Sequence, residues 1–257
     1  MPQETAASKK QKNYSASEIQ WVQTPTGKLA VHKSGKFSDK TSPLVLIHGN
    51  GGDFHEFDRL AALFGPERPL IMPDTRAHGR SDFGVTALSF PLLAEDLKLI
   101  ADSLGLKKFS IIGFSDGGNL ALQFALKYSD YVDSMVLAGA NLNPSGLSLK
   151  IRIMDIAVFL AQSIAGLFSK NWRKKAAITY LMIGHPKMTL SQLKSLKIPV
   201  LVMAGENDMI LEAHTVAIAK ALPVGRLKII PKENHFFIVK NPSSAFNLIS
   251  DFLGLKK

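Results

Sequence analysis

Short apolar runs that do not alternate with polar residues recur along the chain: PLVLIHG, RPLIMPD, KKFSIIGF, VDSMVLAGA, IPVLVMAG and GRLKIIP. A strand that lies between neighbours and is covered on both faces needs apolar side chains in both directions, so these runs predict parallel strands. Between them, apolar positions recur at helical spacing in EFDRLAALF, FPLLAEDLKLIADSLG, NLALQFALKY, EAHTVAIAKAL and PSSAFNLISDFLG. Two further segments, EIQWVQT and KLAVHKSG, flank Pro25, Thr26 and Gly27 and predict an opening antiparallel hairpin. Strands alternating with helices predict an α/β fold, a mostly parallel eight-stranded sheet with helices on both faces.

Residues 141–197 break this alternation. They contain IRIMDIAVFLAQSIAGLF, apolar around most of a helical circumference, with Arg152, Asp155, Gln162 and Ser163 along one stripe. A membrane span needs about 20 apolar residues, and this run is shorter and carries two charges. It predicts a helical insert. The expected organisation is a flexible basic tail at 1–17, a core domain made of 18–140 and 198–257, and a cap insert at 141–197.

Composition narrows the chemistry. A chain of 257 residues with 46% hydrophobic content is long enough for one large core. The absence of cysteine excludes disulfides, thiolate nucleophiles and cysteine-ligated metals. The first residues carry Lys9, Lys10 and Lys12 without an apolar run, so a cytoplasmic location is expected. The net charge of +10 is concentrated: 141–197 holds nine Lys and Arg against Asp155 alone. Basic stripes interleaved with aromatics are missing, so no nucleic-acid partner is expected.

GFSDG, residues 113–117, stands between a predicted strand and a predicted helix. A serine nucleophile must project its oxygen from a tight strand-to-helix turn, where glycines two residues away relieve crowding, and the helix amides face the same space. Serine is inert without a base, and two later strand ends release Asp208 and His235, in the order Ser, Asp, His. Glu206, two residues before Asp208, is the alternative acid, because extended alternation does not settle which carboxylate reaches His235. No HExxH spacing or carboxylate cluster points to a metal.

With LIHGNGGD, PDTRAHGRSDFG, GFSDGG, GENDMI and ENHFF in this order, the region from about Glu18 to the C-terminus resembles the α/β-hydrolase superfamily. It is most similar to its serine esterases, cofactor-free perhydrolases and carbon–carbon bond hydrolases. The resemblance implies Ser115 as nucleophile, His235 as base and then acid, and Asp208 as the group orienting the imidazole. It also implies an oxyanion hole from the backbone N–H of Asp116 and of Asn50. No cofactor is implied.

His48 and His78 are expected to support loops, Asn119 to help begin its helix, and Asp74, Arg76 and Asp82 to form one charged network. Phe114, Ile153, Phe159, Leu160 and Phe236 are candidate substrate-pocket residues. The expected activity is hydrolysis of a small or medium carboxylic ester, with carbon–carbon hydrolysis or perhydrolysis as the alternative. A low-turnover receptor is the reading from another class. The insert's charge suits, in order, solubility, an anionic substrate, or contact with an anionic membrane surface without stable insertion. The oligomeric state is left open.

Overall fold

The structure, a computed structural model, describes residues 18–38, 41–85 and 87–255. The expected tail at 1–17 lies outside the described residues.

The opening hairpin is β1 (Glu18–Thr24) and β2 (Gly27–Ser34), paired antiparallel from Glu18 opposite Lys33 to Thr24 opposite Gly27. The remaining strands are β3 (Leu44–Ile47), β4 (Leu70–Pro73), β5 (Phe109–Phe114), β6 (Val132–Ala138), β7 (Val200–Asn207) and β8 (Gly225–Asn234). They form one eight-stranded sheet in the order β1-β2-β4-β3-β5-β6-β7-β8, parallel from β4 onward.

The uninterrupted apolar runs become the sheet's interior strands, for the reason their pattern implied. In β3 all four residues are buried; Val45 and Ile47 join the core on one face, Leu44 and Leu46 the core on the other. Such burial is worth about 1.5–3 kcal/mol for each large aliphatic side chain.

Helices α1 (Asp58–Phe64), α2 (Phe90–Ser103) and α3 (Asp116–Lys127) follow β3, β4 and β5. The insert contains α4 (Leu149–Gly166), α5 (Lys170–Gly184) and the short α6 (Leu190–Leu193), and α7 (Glu212–Ala221), α8 (Phe237–Lys240) and α9 (Ser243–Phe252) complete the chain. Through Leu93, Leu120 and Ile218, helices α2, α3 and α7 cover one face, while α1 and α9 cover the other through Leu60 and Ile249. The outer strand β8 has mostly exposed residues and carries Arg226, Lys228 and Lys232, charges of the kind that discourage edge pairing.

Helix α5 is the element that the apolar pattern did not announce. Its start, KNWRKK, is basic and its apolar residues are crowded into the second half without a one-sided spacing, so its helicity rests on packing against α4 rather than on a strong pattern of its own. The charged network expected after β4 also divides. Asp74 accepts from His32 Nε2 and the N–H groups of Phe54 and Arg80, Arg76 pairs with Asp96, and Asp82 accepts from the Lys28 N–H.

Candidate active site

Because β3, β5, β7 and β8 are parallel, their carboxyl ends share one edge of the sheet. That edge releases His48, Ser115, Asp208 and His235 from their strand ends. Ser115 has φ 52° and ψ −119°, a backbone conformation costing about 1–3 kcal/mol for a residue with a Cβ. The turn holds because Ser115 N–H donates to Ala138 O while its own carbonyl accepts from Gly118 and Asn119. It also demands its glycines: a Cβ on Gly117 would lie 1.9 Å from Ile47 O, and one on Gly113 would lie 2.4 Å from Gly117 O.

Facing the hydroxyl, His235 Nε2 lies 3.0 Å from Ser115 Oγ, and His235 Nδ1 lies 2.6 Å from Asp208 Oδ1. Asp208 is held in turn by the N–H groups of Ile210 on Oδ1 and Gly205 on Oδ2. The acid alternative takes another place: Glu206 is exposed and accepts from the Lys232 N–H. A bulge between Gly205 and Asn207 interrupts the β7–β8 register at this point, where extended alternation could not assign sides.

The loop after β3 is pinned from beneath. Buried His48 lies with Nδ1 2.8 Å from Gly49 O and accepts the Thr75 N–H on Nε2, which makes it the neutral Nδ1–H tautomer. Burial lowers its pKa. His78 accepts the Gly51 N–H on Nε2 and faces Arg76 O with Nδ1, and burial, aided by the nearby His48, lowers its pKa to about 3. Both histidines thus have the supporting positions expected of them. Glu56, which its place in a helical-looking run did not single out, accepts the Gly49 N–H on Oε2, with its pKa raised by burial. The loop amides on either side of Asn50 are therefore engaged.

The Asn50 side chain joins three parts of the molecule. Its Nδ2 donates to Asp116 Oδ2 and to Ile178 O, at 2.9 Å each, linking the loop, the start of α3 and helix α5. Asp116 Oδ1 accepts from Asn119 Nδ2, which also donates to Asn141 Oδ1, and the Asn141 N–H returns to Asn119 Oδ1. Asn119 is thus a buried connector as well as a first-turn residue. Burial pushes the Asp116 carboxyl up to about 6, opposed by its two amide donors and helped upward by Asp155.

The candidate pocket residues separate. Phe114 is buried with its ring 5.0 Å from that of His235, and exposed Phe236 is edge-on to His235 at 5.4 Å. Phe159 lines a cavity of about 650 Å³ with Phe83, Leu88, Arg173 and Tyr180, and neither Ser115 nor His235 borders it. Ile153 and Leu160 correct the expectation: they are 59% and 56% exposed and border no such cavity. Their helix turns most of its polar stripe inward, with Asp155 buried and Gln162 Oε1 accepting from Thr179, while Arg152 stays exposed and the apolar side faces out.

Among the described residues no group of three or more His, Asp or Glu could hold a metal ion, and no helix is long and apolar enough to cross a membrane.

Comparison with known proteins agrees with this architecture. A protein of Bacillus subtilis (strain 168), provisionally named 2-succinyl-6-hydroxy-2,4-cyclohexadiene-1-carboxylate synthase, is 25% identical over 82% of this chain and 89% of its own length. An alpha/beta hydrolase enzyme from a Medee basin deep-sea metagenome library superposes with a TM-score of 0.80 at 18% identity, covering 93% of this chain and 98% of its own. The enol-lactonase of Burkholderia xenovorans LB400 does so with a TM-score of 0.76 at 17% identity, covering 91% and 100%. The family model described as alpha/beta hydrolase fold matches residues 42–185, which take in β3 to β6 and the turn at Ser115 and end before Asp208 and His235, and the chain belongs to that family.

Proposed function

We propose that this chain is a serine hydrolase that cleaves a small or medium carboxylic ester through an acyl-enzyme. The observation that carries the reading is the continuous hydrogen-bonded line from Ser115 Oγ through both nitrogens of His235 to Asp208. In it, Ser115 Oγ attacks the ester carbonyl while His235 Nε2 takes the hydroxyl proton, and Asp208 holds the imidazolium by Nδ1–H. The oxyanion is assigned to the N–H groups of Asn50 and Asp116, the second at the positive end of α3. His235 then gives its proton to the departing alkoxide, which leaves as the alcohol. Water, deprotonated by the same nitrogen, attacks the acyl-serine and releases the acid.

Two features of the surroundings support this assignment. Amide donors hold both oxygens of the Asp116 side chain, Asn50 on Oδ2 and Asn119 on Oδ1, which ties the start of α3, where the Asp116 N–H lies, to the Asn50 loop. Phe236 offers an apolar surface next to His235 for the substrate's acyl part. Residues 141–197 act as the cap, and the bond from Asn50 to Ile178 O couples cap position to the loop that carries the oxyanion amide.

The test is labelling with a fluorophosphonate probe, with p-nitrophenyl acetate and butyrate turnover measured in parallel. Wild type should label and turn over, and Ser115→Ala should lose both, with turnover down by about 10⁴-fold or more. A wild type that neither labels nor turns over would sink the reading and leave the receptor alternative.

A further inference from the structure

We propose that the outward side of α4, continued by the first turns of α5, is a docking surface for an anionic lipid bilayer. Along α4 the apolar residues Ile153, Ile156, Leu160, Ile164 and Leu167 recur at intervals of three or four, which places them on one side of the helix, and that side faces solvent. Exposure rises toward the hairpin tip, from 65% at Ile164 to 77% at Leu167 and 89% at Phe168. Trp172 extends the surface onto α5. Scattered exposed apolar residues need no explanation, but a continuous helix side of them marks a contact surface.

Charge selects the occupant. Lys150 and Arg152 stand at one end of this surface, with Lys170, Arg173 and Lys175 at the other, all exposed. Among the described residues, none of them has a carboxylate within ion-pair distance. The nearest acid in sequence, Asp155, points inward. An apolar strip with aromatic residues at one end and cations at both suits an interface that offers hydrocarbon beneath negative headgroups. A second copy of this chain would instead bring its own unpaired cations against these, a like-charge arrangement that disfavours pairing. The helix would lie in the interfacial plane, since none of the described helices is long and apolar enough to cross.

The experiment is co-sedimentation of the full chain with vesicles of phosphatidylcholine alone and of phosphatidylcholine mixed with phosphatidylglycerol. Binding to the mixed vesicles, weak binding to the neutral ones, and loss of binding as salt rises are expected. The triple substitution Ile164→Gln, Leu167→Gln, Phe168→Gln should weaken binding at least about tenfold. Lys150→Glu with Lys175→Glu should weaken it by roughly tenfold. Both variants should keep the melting temperature and the fluorophosphonate labelling of wild type, which separates a lost surface from a lost fold. Both also retain Lys9, Lys10 and Lys12, so binding that survives them would be carried elsewhere and would overturn the proposal. Absent binding of wild type to the mixed vesicles would overturn it too, as would a dimer in solution that the triple substitution dissolves.

Discussion

The sheet edge around Ser115 and the hairpin of α4 and α5 treat polar and apolar groups in opposite ways. At the edge and beneath it, charged groups enter the interior with their partners: Arg76, 1% exposed, meets Asp96 through Nε at 2.7 Å and Nη2 at 2.6 Å and adds the hydroxyls of Thr24 and Thr26. In the hairpin, Asp155 is buried with Oδ2 lacking a hydrogen-bond partner among the described residues, while large apolar side chains stand in solvent. The sheet domain mostly follows the usual rule that buried polar groups are paired, with Arg68 Nε and Thr215 Oγ1 as its exceptions among the described residues. The hairpin departs from it in both directions, and such departures mark places shaped by something other than stability.

Four substitutions can break or sharpen this contrast. The largest effect is expected for Asp96→Ala, which leaves the Arg76 guanidinium buried without its carboxylate. Removing one partner of such a pair costs about 3–5 kcal/mol, to be read by chemical denaturation. A loss under about 1 kcal/mol would mean that the pair contributes no more than a surface contact.

Asp155→Asn should act in the reverse direction and more weakly, stabilising by about 1 kcal/mol at neutral pH. The sign follows from titration: burial raises the Asp155 pKa, so the folded state holds its proton to higher pH than the unfolded state. The penalty is absent at pH values below the ordinary aspartate range and grows as pH rises through the folded pKa. The gain in Asp155→Asn should therefore disappear on acidification, and a gain independent of pH would point to packing instead. Because Asp155 helps to raise the Asp116 pKa, the same variant should lower the pH at which Asp116 ionises, measurable by NMR titration.

The smallest effect belongs to the outer face of α4. Ile164→Gln should change stability by no more than about 0.5 kcal/mol, whereas Ile112→Ala in the β5 core should cost about 2–5 kcal/mol. If Ile164→Gln proves as costly as the core substitution, that side of the helix is packed against protein in solution.

Much of the sheet was legible from the sequence because its signals are local. Runs such as PLVLIHG and IPVLVMAG place apolar side chains on both sides of a strand whatever their neighbours are, and Gly113 and Gly117 announce a crowded turn within five residues. The positions of Ser115, Asp208 and His235 at strand ends follow from that order of elements. Helix α5 and the role of Glu56 were not legible, since one depends on a partner helix and the other on where a loop comes to rest above it.

Direction was the part that local pattern could not supply. The spacing of Arg152, Asp155, Gln162 and Ser163 defines a polar stripe on α4, but only the packing of α4 against α5 decides that all of it except Arg152 faces inward and that Ile153 and Leu160 lie outside. In the same way, Glu206 and Asp208 were equivalent carboxylates along an extended chain until the bulge beside β8 turned one toward His235 and the other toward the Lys232 N–H. Sequence by itself determined which residues form most of the elements, α5 excepted, and which side of them is apolar, because steric preference and periodicity act over a few residues. Which side meets protein, which meets solvent, and which of two nearby acids meets the imidazole were decided by tertiary structure, because those choices depend on contacts between residues far apart in the chain.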